Sequence, residues 1–132
     1  MSTDSEDIKP KRKINVKPSI SNKVKVHKDP LFNIGDIVKH RIYPFRGVIV
    51  DVDAEFSNTE EWWHSIPEDS RPAKEQPYYH LLAENDTTYY TAYVSEQNLL
   101  IDDTGEPVEH PDIASLFGKF HGNYYNIEVQ MN

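Results

Sequence analysis

Apolar positions along this chain come in short clusters separated by turn residues, never in long runs. In Ile34-Gly35-Asp36-Ile37-Val38-Lys39-His40 a turn leads into a strand, and Arg46-Gly47-Val48-Ile49-Val50-Asp51-Val52-Asp53 is dense in β-branched residues, which strands favour. Tyr43-Pro44-Phe45 marks the reversal between them. After Ala54-Glu55-Phe56 the pattern lapses over residues 57–77, where Pro67, Pro72 and Pro77 exclude a central strand. Glu60-Glu61-Trp62-Trp63-His64 reads as a helical turn within this segment, and a loop of such length in a small domain is generally functional or mobile. Tyr78 to Glu84 resumes the strand pattern, Asn85-Asp86 turns the chain, and residues 87–94 follow as a second strand, so the two form a hairpin. Residues 97–101 supply a last short apolar piece. Ile113, Leu116, Phe117 and Phe120 stand at helical intervals, predicting a helix over 111–120 with Pro111 in its first turn and Gly118 or Gly122 at its end. Short strands without intervening helices predict an all-β fold: a small antiparallel SH3-like barrel or bent sheet with a short C-terminal helix.

The first thirty residues do not share this pattern. Their large apolar side chains are few, and Lys9, Lys11, Arg12, Lys13, Lys17, Lys23, Lys25 and Lys28 outnumber Asp4, Glu6, Asp7 and Asp29. Lys23-Val24-Lys25-Val26 alternates as an edge strand would, but the composition reads as a basic, poorly ordered extension, solubilising or able to hold an anionic partner. The expected division is therefore 1–30 extension and 31–132 folded domain. Of the net charge of -8 over 132 residues, the tail contributes in the opposite sense, so the domain itself is strongly acidic. Such a field repels duplex DNA unless its few cations share one face, because phosphate neutralisation carries non-specific affinity.

Composition removes several classes of function. There is no Cys, hence no disulfide, thiolate metal site or cysteine nucleophile. No apolar run approaches the roughly 18 residues of a membrane span, and the acid-containing N-terminus resembles neither a secretory signal nor a transit peptide, so a cytoplasmic protein is expected. There is no P-loop, dinucleotide glycine fingerprint, Gly-x-Ser-x-Gly elbow or His-Glu-x-x-His, and the six histidines show no paired metal spacing. No enzyme, cofactor or metal is expected. Asp51 and Asp53 share a strand face, an acid–base arrangement in principle and a solvated polar face by default. Trp62, Trp63, Tyr78 and Tyr79 concentrate aromatic surface around the long loop, with His80 beside them in an apolar strand. Aromatic groups bury much area with few rotors, which suits a protein-binding surface. Arg46, next to Gly47, is a candidate cation presented from a turn, while Gly47 more securely allows the strand entry its geometry.

The segments Phe32 to Arg41, Phe45 to Asp53 and Gln76-Pro77-Tyr78-Tyr79-His80-Leu81-Leu82, with Tyr93-Val94-Ser95-Glu96-Gln97-Asn98-Leu99 later, resemble the heat-shock HspQ or YccV-like, hemimethylated-DNA-binding family. The resemblance covers about Phe32 to Tyr125, and the ending from His110-Pro111 to Tyr125 is similar to the form found in some eukaryotic F-box proteins. It implies a small β-barrel without catalytic residues and two activities: adaptor or specificity enhancer for Clp or Lon proteolysis in heat stress, or binding of hemimethylated DNA. The acidic domain favours the first, with Clp or Lon components and client proteins as partners through Trp62, Trp63, Tyr78, Tyr79 and His80. Under the second, Lys11, Arg12, Lys13, Arg41 and Arg46 carry the phosphate contacts. Open strand edges and aromatic surface also allow a homo-oligomer.

Overall fold

The computed structural model describes residues 29–128. Five strands form one antiparallel sheet: β1 (Ile37–His40), β2 (Arg46–Asp53), β3 (Tyr78–Glu84), β4 (Tyr89–Ser95) and β5 (Leu99–Ile101), in the order β4-β3-β2-β1-β5. A short helix α1 (Glu60–His64) lies between β2 and β3; a second, α2 (Ile113–Leu116), precedes a two-stranded ribbon of β6 (Phe117–Phe120) and β7 (Tyr125–Ile127). The strands expected at 46–53 and 78–84 stand at those bounds. Between the two forms the sequence left open, the structure selects the bent sheet: among the described residues β4 and β5 remain its two edges and no barrel closes.

The central strands read as nearly continuous apolar runs because the sheet is covered on both faces. Val38, Ile49, Leu81 and Val94 belong to one buried cluster with Phe32, Tyr79 and Leu99. Their immediate neighbours Ile37, Val48 and Leu82 point the other way, into a second cluster with Val108, Ile113, Phe117 and Tyr125. A bulge between Ile49 and Asp51 shifts the β2–β3 register, bends β2 and sets Asp51 opposite His80 and Asp53 opposite Tyr78.

The helix expected over 111–120 is a single turn followed by a strand. Phe117 pairs with Ile127 and Phe120 with Tyr125, and a register shift between them turns both rings toward the second cluster. An i, i+3 spacing that imitates a helix is thus a bulge in a ribbon, and Leu116, expected on the apolar face, is exposed. Gly118 lies inside β6 instead of ending a helix, while Gly122, at φ +96°, makes the β6–β7 turn, closed by the His121 N–H to Tyr124 carbonyl bond of 2.8 Å. The ribbon is fastened to the sheet where the Tyr125 N–H donates to the Gly35 carbonyl at 2.9 Å. Gly35, at φ +99°, permits that approach: a Cβ there would stand 2.5 Å from the Tyr125 carbonyl oxygen.

Arg46 ties the layers together. Its guanidinium pairs with Glu84 at the end of β3 and, at 3.0 Å, with Asp102 beyond β5, and it donates to Thr104 Oγ1 and to the carbonyls of Glu106 and Pro107. Asp102 is 1% exposed; desolvation pushes its carboxyl up, yet the hydrogen bonds from Arg46 and Thr104 prevail and hold it below the usual carboxylate range. Replacing Arg46 by Met is expected to cost about 3–5 kcal/mol, the loss seen when one partner of a buried pair is removed. Urea unfolding checks this, and a midpoint equal to that of the parent chain would contradict it.

Candidate functional site

The long loop between β2 and β3 is laid down by its own aromatic and polar groups. Thr59 Oγ1 caps α1 by accepting the Trp62 N–H at 3.0 Å, which orients the two tryptophans in opposite directions. Trp62 stacks on Phe56 at 5.8 Å between centroids and meets Tyr93 edge-on at 5.3 Å. Phe56 in turn abuts Tyr78 at 5.3 Å, and Tyr78 stacks on Tyr93 at 5.2 Å. Trp63 faces the rest of the loop: its Nε1 donates to the Pro72 carbonyl at 3.1 Å, and Lys74 and Arg71 lie over its ring at 4.5 and 4.9 Å. The Tyr78 hydroxyl donates to the Ala73 carbonyl at 2.8 Å, and burial pushes its ionisation up to about 12.

Of the five side chains expected to form a protein-binding surface, Trp62, Tyr78 and His80 converge. Trp62 is half-buried at the surface, Tyr78 lies beneath it, and His80 packs against the Tyr93 ring at 4.6 Å. Trp63 is given over to the loop. Tyr79 points through the sheet into the first core cluster, fully buried, and its hydroxyl donates to Glu96 Oε2 at 2.8 Å. Glu96 Oε2 also accepts the Leu31 N–H at 2.9 Å, so Tyr79 anchors the start of the described chain. Sequence reasoning treated Phe56, Tyr90 and Tyr93 only as strand or loop residues, although the loop would have had to cover some aromatic face of the hairpin.

Beside this cluster runs an open groove of about 400 Å³. β4 forms one side through Tyr90, Ala92, Val94 and Ser95; the turn from His40 to Phe45 forms the other, and Trp62, Ile66 and Arg71 close one end. His40 shapes the turn. Its Nδ1 accepts the N–H groups of both Ile42 and Tyr43 at 3.0 Å, which only an unprotonated Nδ1 can do, and its ring packs on Tyr43 and Phe45. Burial, then the nearby Arg41 charge, lowers its ionisation below 6.5.

The cations proposed for DNA contact are differently placed. Arg41 is exposed at the groove, its Nε donating to the Gln97 carbonyl at 3.0 Å. Arg46 belongs to β2 and not to a turn, and its guanidinium is enclosed by Glu84, Asp102 and the carbonyls described above. Lys11, Arg12 and Lys13, like the Lys23–Val26 alternation, lie outside the described residues.

Asp51, Asp53 and His80 form one group whose potential metal-ligand atoms all lie within 4.8 Å of one another. Histidines that look scattered along the chain thus acquire carboxylate neighbours through the β2–β3 pairing. Two carboxylates and an imidazole suit a divalent cation. Here Asp53 Oδ2 is bonded to His80 Nε2 at 3.0 Å and accepts the Tyr93 hydroxyl at 2.9 Å, while Asp51 is exposed, its Oδ1 accepting the Val52 N–H. The contacts clamp β2 to the hairpin under the loop.

The family model for "Hemimethylated DNA-binding protein YccV like" matches residues 30–124. The chain belongs to the YccV-like family. It is also similar to F-box only protein 21: 31% identical over 108 residues to the proteins of Homo sapiens and Pongo abelii, covering 80% of this chain and 17% of each relative. With the Mus musculus protein the identity is 28% over 124 residues, covering 92% of this chain and 19% of the relative. The chain thus spans less than a fifth of these relatives' length. No solved structure gives a significant match. The described YccV-like sheet contains no helix long and apolar enough to cross a membrane.

Protonation of His40 breaks the turn that walls the groove. With its folded ionisation lowered, the unfolded chain takes up the proton first; the contribution is complete above pH 6.5 and is lost as pH falls through and below that value. The thermal midpoint is expected to fall more steeply from pH 7 to pH 5 in the parent chain than in H40N, whose side-chain oxygen accepts the same N–H groups without titrating. Parallel pH profiles would refute this role.

Proposed function

We propose that this YccV-like chain is a non-enzymatic protein-binding module, an adaptor or specificity enhancer that brings client proteins to a Clp or Lon component in the cytoplasm. The observation that carries the reading is the groove itself: an open, aromatic-walled depression on a domain whose described residues hold nineteen acids against six Lys and Arg. Proteins bind such surfaces through a few aromatic anchors surrounded by polar contacts. The domain offers duplex DNA little in return. Lys39, Arg46 and Lys74 are paired with Asp103, with Glu84 and Asp102, and with Glu60. Similarity to F-box only protein 21 supports the same direction, through the degradation role that the family resemblance implies.

A second reading rests on the family description, which names hemimethylated DNA. In that reading the basic tail carries the phosphate contacts, and affinity falls steeply with salt.

Replacing Trp62 and Trp63 by Ala in the full chain is expected to weaken association with the protease component or its client at least tenfold while far-ultraviolet dichroism keeps its sheet signature. Unchanged association would sink the first reading. Deleting residues 1–30 is expected to leave that association intact; if it instead abolishes tight, methylation-ranked duplex binding, the second reading replaces the first.

A further inference from the structure

β4 has β3 on one side and no strand on the other among the described residues. The bond from the Glu96 N–H to the Pro77 carbonyl, and that from the Asn85 N–H to the Thr88 carbonyl, bracket the β3–β4 register. Hydrogen-bonded and non-bonded pairs alternate along an antiparallel ladder, so Tyr90, Ala92 and Val94 bond inward to β3. Thr91, Tyr93 and Ser95 turn their N–H and C=O groups outward. An open edge beside a groove is a template for one more strand, its main chain supplying affinity and the flanking side chains specificity.

Charge defines the strand that fits. Arg41 and Arg71 both line the groove, and neither meets a carboxylate among the described residues. Arg41 Nε donates to the Gln97 carbonyl and, at 3.1 Å, to Asn98 Oδ1; Arg71 donates to the carbonyls of Ile66 and His64 at 2.9 and 3.2 Å from Nη2. Neutral oxygens aim a guanidinium without cancelling its charge. Against these two cations the groove has one carboxylate in its lining, Asp69. On a domain this acidic, two positioned cations at one groove, neither met by a carboxylate among the described residues, select for negative charge.

We propose that the groove receives an extended acidic peptide, which adds to β4 as a further strand and sets its carboxylates against Arg41 and Arg71. The inference rests on the proteolysis reading and deepens it: the added strand is the recognition segment of the client.

The test uses the full chain and fluorescein-labelled ten-residue peptides at about physiological salt. An alternating Glu-Val peptide is expected to bind saturably, and its Lys-Val counterpart at least tenfold more weakly. The double variant R41Q/R71Q should lose at least tenfold in affinity for the Glu-Val peptide. T91P should lose as much at an unchanged thermal midpoint, since proline is tolerated on an edge strand where its missing N–H faces outward. N-methylating alternate amides of the peptide repeats that test without altering the protein, should T91P prove unstable. Equal binding of the two peptides, or insensitivity to both the arginine changes and N-methylation, would overturn the proposal. So would a chain that binds the peptide only after removal of residues 1–28, one whose edge is taken by a second copy, or one from which a single-stranded oligonucleotide displaces the peptide at equal concentration. Peptide failure with Clp or Lon association intact refutes this inference alone; loss of protease association beside intact peptide binding refutes the assignment to proteolysis and leaves the groove chemistry standing.

Discussion

Arg46 is the residue around which the layers of this small sheet are fixed. It opens β2, sits opposite Glu84 in the β2–β3 register and Lys39 in the β1–β2 register, and reaches Asp102 in the loop beyond β5. The same guanidinium holds the Glu106 and Pro107 carbonyls just before Val108 enters the second core cluster. A cation placed for five oxygen acceptors thereby sets the path of the C-terminal segment over the back of the sheet. Burying ionic groups is expensive unless each is met, and here the buried Asp102 is met twice, by Arg46 and Thr104. That commitment also removes Arg46 from the cations available to a partner.

With the back of the sheet covered by α2 and the β6–β7 ribbon, the remaining freedom lies at its edges. The aromatic stack from Phe56 through Trp62 to Tyr93 covers the far end of β2 and the hairpin, and the sheet stops short of closing between β4 and the His40 turn. The groove is the gap left there. Local bonds hold its surroundings: two N–H groups on His40 fix the turn at one side, and the laced loop closes one end. The His80–Asp53–Tyr93 contacts join β2 to the β3–β4 hairpin.

Much of the sheet was legible from period and composition, because β-branched density at 46–53 and the hairpin signal at Asn85-Asp86 report directly on strand pairing. The C-terminal helix misled for a physical reason: a bulged ribbon places Phe117 and Phe120 on one side with the same i, i+3 spacing a helix would use. Aromatic crowding marked the loop where Phe56, Trp62, Tyr78 and Tyr93 pack together, but period-two alternation was needed to separate Tyr78 and His80 from Tyr79, which faces the opposite core. The strand that Arg46 opens was legible, but its enclosure was not, because its carboxylate partners lie 38 and 56 residues away. The grouping of Asp51, Asp53 and His80 was hidden similarly, since cross-strand neighbours leave no spacing along the chain.

On the proposed function, recognition lies on the folded domain, along β4 and the loop that borders it. Nitrogen-15 chemical-shift mapping of the full chain, with a Clp or Lon component or a hemimethylated duplex added in turn, tests this most directly. The protease component is expected to shift the amides of β4 and of the non-proline residues among 62–72 at saturation, while the duplex leaves them in place. Shifts confined to residues 1–30 on adding the duplex, with β4 and the loop silent to every protease component, would contradict it.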